Sequence, residues 1–118
     1  MKIAIPVDSN KNGTGVCMSF GRTPYFLIYD TKSGESRYIE NQAATKSGGA
    51  GIKAAQSVVD SEVGALIAMR CGENAAEVLK SANIKIYKAV GTSVKSNIDA
   101  FAEGKLEELK EISPGQHK

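Results

Sequence analysis

Residues 63–69, with the sequence VGALIAM, constrain the fold more than any other stretch of this chain. A strand with one face in solvent alternates apolar and polar residues, whereas a strand covered on both faces is continuously apolar. Helical patterns precede and follow this run, at residues 51–62 and 73–83. The chain is therefore predicted to be an α/β protein whose sheet carries helices on both faces.

Three helices are predicted from apolar residues that recur at helical spacing. The third begins after Gly91, Thr92 and Ser93, which supply a turn and an N-cap, and it ends near Gly104. The predicted buried faces are Ile52, Ala55 and Val59; Ala75, Val78, Leu79 and Ala82; and Val94, Ile98 and Phe101.

Four further segments are predicted to be strands, at residues 2–7, 25–30, 35–41 and 84–90. The elements then follow one another as βββαβαβα. Right-handed crossovers from strand three to four and from four to five place strand four beside strand one. If the first three strands form an antiparallel meander, the five-stranded mixed sheet has the order 3-2-1-4-5, with strand 2 antiparallel. This is the arrangement of ribonuclease H-like proteins.

The size and charge of the chain limit the number of domains and the kinds of binding partner that can be expected. A chain of 118 residues suits one domain, predicted at residues 1–106, followed by a polar tail at residues 107–118. Fifteen basic and 13 acidic residues leave a net charge of +2, which does not favour nucleic-acid binding. No run approaches the roughly 18 apolar residues of a membrane span, and the N-terminal run is too short for a signal peptide. We expect a cytoplasmic protein that binds neither nucleic acid nor membrane.

The residues that carry chemistry gather at one edge of the predicted sheet. The loops after strands one, three, four and five leave the same edge, where open α/β sheets bind ligands. Cys17 and Met18 follow strand one, and Cys71 follows strand four, so the two thiols are expected to lie close together. Thiolates suit iron-sulfur clusters or cuprous copper. Arg22 and the glycine-rich helix start at Gly48 and Gly49 would attract an anionic cluster.

Simpler interpretations of these residues stay open. Cysteine is often a small buried apolar residue, and the glycine-rich loop lacks both the GxGxxG and GxxxxGK[ST] patterns. A metal-dependent nuclease needs several converging carboxylates, whereas only Asp8 ends a suitable strand. The one histidine, His117, lies in the polar tail, so catalysis through a histidine base is not expected.

Four segments in order resemble the dinitrogenase iron-molybdenum cofactor biosynthesis family. They are SFGRTPYFLIYD, GGAGIKAAQ, CGENAAEVLKSANIKIYKA and GTSVKSNIDAFAEGKL, and the likeness runs over residues 1–106. The resemblance implies a ribonuclease H-like fold. It also implies a non-catalytic carrier of iron-molybdenum cofactor, of its precursors or of iron-sulfur clusters, similar to stand-alone nitrogenase accessory factors.

The resemblance also implies the site. Where the family often has the sequence HFGR, this chain has Ser19 before Phe20, Gly21 and Arg22. Cys17 lies two positions earlier in the same loop, and could replace the missing imidazole as a softer ligand. The second matching loop holds Cys71, followed by Gly72 and Asn74. We therefore expect Cys17 and Cys71 to be metal ligands. The remaining cofactor-binding residues are expected to be Met18, Ser19, Arg22, Gly48, Gly49, Gly72 and Asn74.

The leading hypothesis is a carrier or chaperone, not an enzyme, that binds an iron-sulfur or iron-molybdenum-type cluster. Its partners would be proteins that donate or accept the cluster. Because two cysteines are fewer than the four ligands of a cubane cluster, a homodimer that shares one cluster is a further hypothesis. The alternatives are a metal-free protein-interaction module and an anion- or nucleotide-binding protein.

Overall fold

The computed structural model of this protein describes residues 1–43 and 49–109. These residues form β1 (Lys2–Val7), β2 (Tyr25–Asp30), β3 (Ser36–Glu40), α1 (Ala50–Asp60), β4 (Ala65–Ala68), α2 (Glu73–Ser81), β5 (Lys85–Lys88) and α3 (Val94–Ala102). The strands form one sheet in the order β3-β2-β1-β4-β5. Strand β2 is antiparallel to both neighbours, and β1, β4 and β5 are parallel. The predicted strand order and directions are confirmed.

The sheet separates two apolar layers because side chains alternate along each strand. Ala4, Phe26 and Leu66 pack with α1 and α2 on one face. Ile5 and Ile67 pack with α3 on the other. The interior strand β4 is buried at all four positions, as its apolar sequence predicts. Helices therefore cover both faces of the sheet.

The predicted buried face is correct for α3 and partly correct for α1 and α2, since Ala55 is buried and Val59 packs against the core, whereas Ile52 does not. Ile52 is 41% exposed, whereas Ala54, Ala55 and Val58 are buried. A Cβ atom at Gly51 would lie 3.6 Å from the Cβ atom of Ala75 on α2. Small residues on this face let the two helices approach closely, and the larger Ile52 is turned towards solvent. In α2, the predicted Ala82 lies past the last helical residue and is exposed.

The chain after α3 covers the edge strand β5. The backbone N–H of Lys88 donates to the carbonyl of Glu107 at 2.8 Å, and that of Leu109 donates to the carbonyl of Ile86 at 2.8 Å. Leu106 is buried, as is Leu109. The segment predicted to be a polar tail therefore begins with residues that pair with the sheet, while residues 110–118 lie outside the described residues.

Candidate functional site

The predicted edge of the sheet exists as a rim formed by the loops that follow β1, β3, β4 and β5. Strands β1, β4 and β5 are parallel, and β3 runs in the same direction because it is antiparallel to β2. All four loops consequently leave the sheet at the carboxyl ends of these strands. We use the word rim for the described residues of these loops together with the first turns of α1, α2 and α3.

The loop after β1 folds back onto the sheet and carries Cys17 to the rim. Val16 forms an antiparallel bridge with Val7 at the end of β1, and its N–H donates to the carbonyl of Thr92 at 2.9 Å. The N–H of Cys17 donates to the carbonyl of Pro6 at 2.8 Å. Cys17 is partly exposed and not disulfide-bonded. The backbone of Cys17 is thus held by the sheet while its thiol is partly open to solvent.

A tight turn at residues 20–22 brings this loop against α1. The N–H of Arg22 donates to the Ser19 hydroxyl oxygen at 2.9 Å. A Cβ atom at Gly21 would lie 3.1 Å from the backbone nitrogen of Gly51, so only glycine allows this approach without a shift of the helix. Phe20 is buried and packs on Phe26, with ring centroids 5.3 Å apart. The turn is therefore held by two contacts, the packing of Phe20 on Phe26 and the close approach of Gly21 to the start of α1.

The second predicted ligand, Cys71, lies in the core. Its side chain is only 1% exposed and belongs to the same apolar cluster as Phe20 and Ala75. Burial raises the pKa of the Cys71 thiol from 9.0 to about 11, against a smaller lowering by the Lys80 charge. In this conformation the thiol is protonated at neutral pH and is covered by other side chains. A role for Cys71 as a ligand stays a prediction, and it requires the start of α2 to move.

Cys17 and Cys71 follow neighbouring parallel strands. Cys17 lies in the loop after β1, directly after Val16, which bridges Val7 at the end of that strand. Cys71 follows β4 and is packed in the layer of α1 and α2. The fold therefore places both cysteines at the carboxyl edge of the sheet, after strands that lie side by side.

The other predicted site residues are spread over the rim. Met18 is 60% exposed, and Arg22 is exposed. Gly49 is the N-cap of α1 in a left-handed conformation, with φ 67°. Gly72 is the N-cap of α2, and Asn74 is exposed in the first turn of that helix. Gly48 lies outside the described residues, as does His117.

Three large apolar side chains are exposed at the rim. Four large hydrophobic residues are exposed among the described residues, and three of them, Met18, Ile52 and Val90, lie in rim loops or the first turn of α1. Within residues 1–43 and 49–109 no group of three or more His, Cys, Asp or Glu side chains is arranged to hold a metal ion. The rim thus presents one accessible thiol, a thioether and apolar surface.

Sequence reasoning missed the buried polar residues that shape the rim. Thr23 and Asn97 are fully buried, and Asn41 is 3% exposed. The Asn97 amide donates to the Ser93 carbonyl at 2.8 Å and accepts from the N–H of Val90 at 2.8 Å, which fixes the loop before α3. An asparagine that follows a strand or interrupts an apolar helical face is the available signal, since such a residue needs main-chain partners when it is buried.

A groove of about 610 Å³ lies on the α3 face of the sheet, between α3, the β2–β3 hairpin and the rim loops at residues 12–15 and 92–93. Tyr29, Tyr38 and Ile98 contribute to its walls, together with Lys95 and Asp99, which form an ion pair at 3.1 Å. Among the predicted site residues that the structure describes, none lines this groove. It arises because a single nine-residue helix covers this face of a five-stranded sheet.

Comparison with known proteins identifies relatives over nearly the whole chain. The sequence model of the family described as dinitrogenase iron-molybdenum cofactor matches residues 1–104. An uncharacterised protein of Methanocaldococcus jannaschii, MJ0580, is 36% identical over 113 residues, covering 93% of this chain and 92% of that protein.

Solved structures agree with the fold. The apo form of the orange protein from Desulfovibrio gigas superposes with a TM-score of 0.87 at 28% identity, covering 92% of each chain. The Thermotoga protein TM1290 superposes with a TM-score of 0.82 at 42% identity, covering 95% of this chain and 96% of that one. In the part of this chain that the structure describes, no helix has the length and hydrophobicity needed to cross a membrane.

Proposed function

The chain belongs to the dinitrogenase iron-molybdenum cofactor family, and from this membership we propose that it is a carrier. Its cargo is a cluster of the iron-molybdenum or iron-sulfur type, bound at the rim and passed between proteins that donate and accept it. The observation that carries the proposal is the loop at residues 17–22. It holds a partly exposed thiol, an exposed thioether and an exposed guanidinium on a backbone fastened to β1 and packed against α1.

The chemistry of these groups suits an anionic sulfur-rich cargo. A thiolate at Cys17 and the thioether of Met18 are soft ligands, as iron-sulfur and copper-sulfur centres prefer. The positive charge of Arg22 and the starts of α1 and α2, neither of which has a side-chain cap, favour a negative cluster. We propose a binding role without catalysis, since the thiolate, the thioether, the guanidinium and the helix starts would each bind or orient the cargo.

Cys17 is the first ligand in this proposal, and Cys71 contributes only if the start of α2 opens. A four-iron cubane takes four ligands, so small thiols or a second copy of the chain would supply the others. Gly49, Gly72 and Asn74 would contact the cargo from the helix starts. Ser19 serves the turn itself, because its hydroxyl already accepts from the Arg22 N–H.

Anaerobic reconstitution with iron and sulfide tests the carrier proposal. The wild-type protein is expected to retain iron after desalting and to show charge-transfer absorption in the visible range. Cys17→Ser should lose both, while Cys71→Ala should keep them if Cys71 serves the core alone. The thiol site would be refuted if wild type, Cys17→Ser and the double variant Cys17→Ser/Cys71→Ala retained equal iron and showed equal visible absorption.

A second candidate function is a metal-free interaction module. The three exposed apolar side chains at the rim favour it, because apolar surface that is open to solvent can be buried against a protein partner. The two candidates differ in what Met18→Lys does. If the metal-free wild-type protein binds one defined partner and Met18→Lys does not, the result would support the interaction module over the carrier.

A further inference from the structure

Asn41 joins the two loops that form the thiol side of the rim. Its amide nitrogen donates to the carbonyl of Gly21 at 3.0 Å and to the carbonyl of Thr23 at 2.8 Å. Its side-chain oxygen accepts from the N–H of Ala43 at 3.1 Å. Its backbone N–H donates to the carbonyl of Pro24 at 2.9 Å. One side chain thereby ties the turn after β1 to the segment that leaves β3.

The hydrogen bonds continue from Asn41 to the centre of the sheet. The hydroxyl of Thr23 lies 2.9 Å from the carbonyl oxygen of Val7, the last residue of β1, and 3.0 Å from that of Tyr25. Thr23 is fully buried, and its own carbonyl is one of the two that Asn41 holds. The turn at residues 20–22 is thus fixed to β1 on one side and to the end of β3 on the other.

This arrangement also decides the electrostatics of the turn. Asn41 is 3% exposed, so the carbonyl oxygens of Gly21 and Thr23 that bind it point into the protein. Carbonyl oxygens carry partial negative charge and would repel an anionic cargo if they faced the rim. With both turned inward, Cys17, Met18 and Arg22 are left to face the cargo.

We infer that Asn41 is a positioning residue of the rim. It sets the turn at residues 20–22 against α1 in the form that accepts the cargo, without contacting the cargo itself. This inference rests on the proposed function for the identity of the cargo. The hydrogen bonds that hold the turn are formed within the protein and do not depend on any cargo.

Asn41→Ala tests the inference against a matched control, Leu106→Ala. Leu106 is buried in the α3 layer, whereas Phe20 of the turn packs in the layer of α1 and α2 on the other face of the sheet. Each lost hydrogen bond favours local opening by about fivefold, so hydrogen exchange in a peptide covering residues 18–24 should quicken by more than about tenfold in Asn41→Ala. In Leu106→Ala the same peptide should change no more than the global stability predicts.

Two further measurements separate positioning from general destabilisation. The two variants are compared at temperatures at which the same fraction of each is folded. Under these conditions iodoacetamide should alkylate Cys17 faster in Asn41→Ala than in Leu106→Ala. Asn41→Ala should also retain less iron after anaerobic reconstitution. Equal behaviour of the two variants in exchange and alkylation would overturn the inference. If Asn41→Ala does not fold, Asn41→Ser, which keeps one donor, is compared with Leu106→Ala by the same criteria.

The outcomes distinguish this inference from the proposed function. If the wild-type protein takes up no iron, the carrier proposal fails, while exchange and alkylation still decide the role of Asn41 in the turn. If the wild type takes up iron and Asn41→Ala retains it as well as Leu106→Ala does, the carrier proposal stands and the positioning role is wrong.

Discussion

The two thiols of this protein should react very differently, and pH should reveal why. Cys71 is 1% exposed, and burial raises its pKa from 9.0 to about 11. At pH 8 about one Cys71 in 1,000 is a thiolate, against about one in ten for a cysteine of ordinary pKa. Because only the thiolate is alkylated, Cys71 should react at least about 100-fold more slowly than free cysteine. Cys17, which is partly exposed, should react first.

The same pKa shift predicts a pH-dependent loss of stability. Between about pH 9 and pH 11 the unfolded chain releases the Cys71 proton while the folded chain keeps it, so the free energy of unfolding falls as pH rises. A shift of about two units corresponds to about 3 kcal/mol, fully present below pH 9 and lost by about pH 11. Cys71→Ala removes this dependence. Comparing it with wild type therefore separates Cys71 from the tyrosines and lysines that titrate in the same range.

Mass spectrometry after timed alkylation measures the first effect, and urea denaturation at several pH values measures the second. Native protein should carry one label at Cys17 long before the second appears, and both labels should appear together in urea. Equal labelling of both thiols in native protein would refute the buried position of Cys71. Parallel stability curves for wild type and Cys71→Ala from pH 8 to pH 11 would refute the pKa shift.

Three further changes test how the rim and the sheet edge are held. Gly21→Ala should lower the free energy of unfolding by about 1–3 kcal/mol, because its Cβ would lie 3.1 Å from the backbone of Gly51. Thr23→Val keeps the shape but loses the hydroxyl bond to β1, which should cost about 1–2 kcal/mol. Truncation after Gly104 should cost about 3 kcal/mol or more and promote aggregation. It removes two buried leucines and uncovers the edge of β5.

Urea denaturation measures the free energies for all three variants, and light scattering measures aggregation of the truncated chain. A Gly21→Ala protein as stable as wild type would show that the turn does not press on α1. A fully stable, monomeric truncated chain would show that residues 105–109 contribute nothing to the edge. A Thr23→Val protein as stable as wild type would show that the Thr23 hydroxyl does not help to hold the turn against β1.

The sheet could be predicted from the sequence because its signals are local and repeated. The continuous apolar run at β4 indicates burial on both faces, and two crossovers of fixed hand leave one position for that strand, beside β1. The face of α3 was predicted for the same reason, since Val94, Ile98 and Phe101 recur at helical spacing. The α1 face was predicted only in part. Its core side consists mostly of alanine, at positions 50, 54 and 55, together with Val58, and these small residues give a weak apolar signal beside Ile52.

The sequence by itself determined the order of the strands, the edge at which the loops gather and the residue types available there. Only the tertiary structure decided which thiol is open to solvent, because the exposure of a loop residue depends on distant segments that pack over it. Phe20, from the loop after β1, shares a cluster with Cys71, and this contact between two distant loops has no periodic signature in the chain. Asn41 likewise acquires its role from partners about 20 residues away, which meet it only when β3 and the turn after β1 are brought side by side.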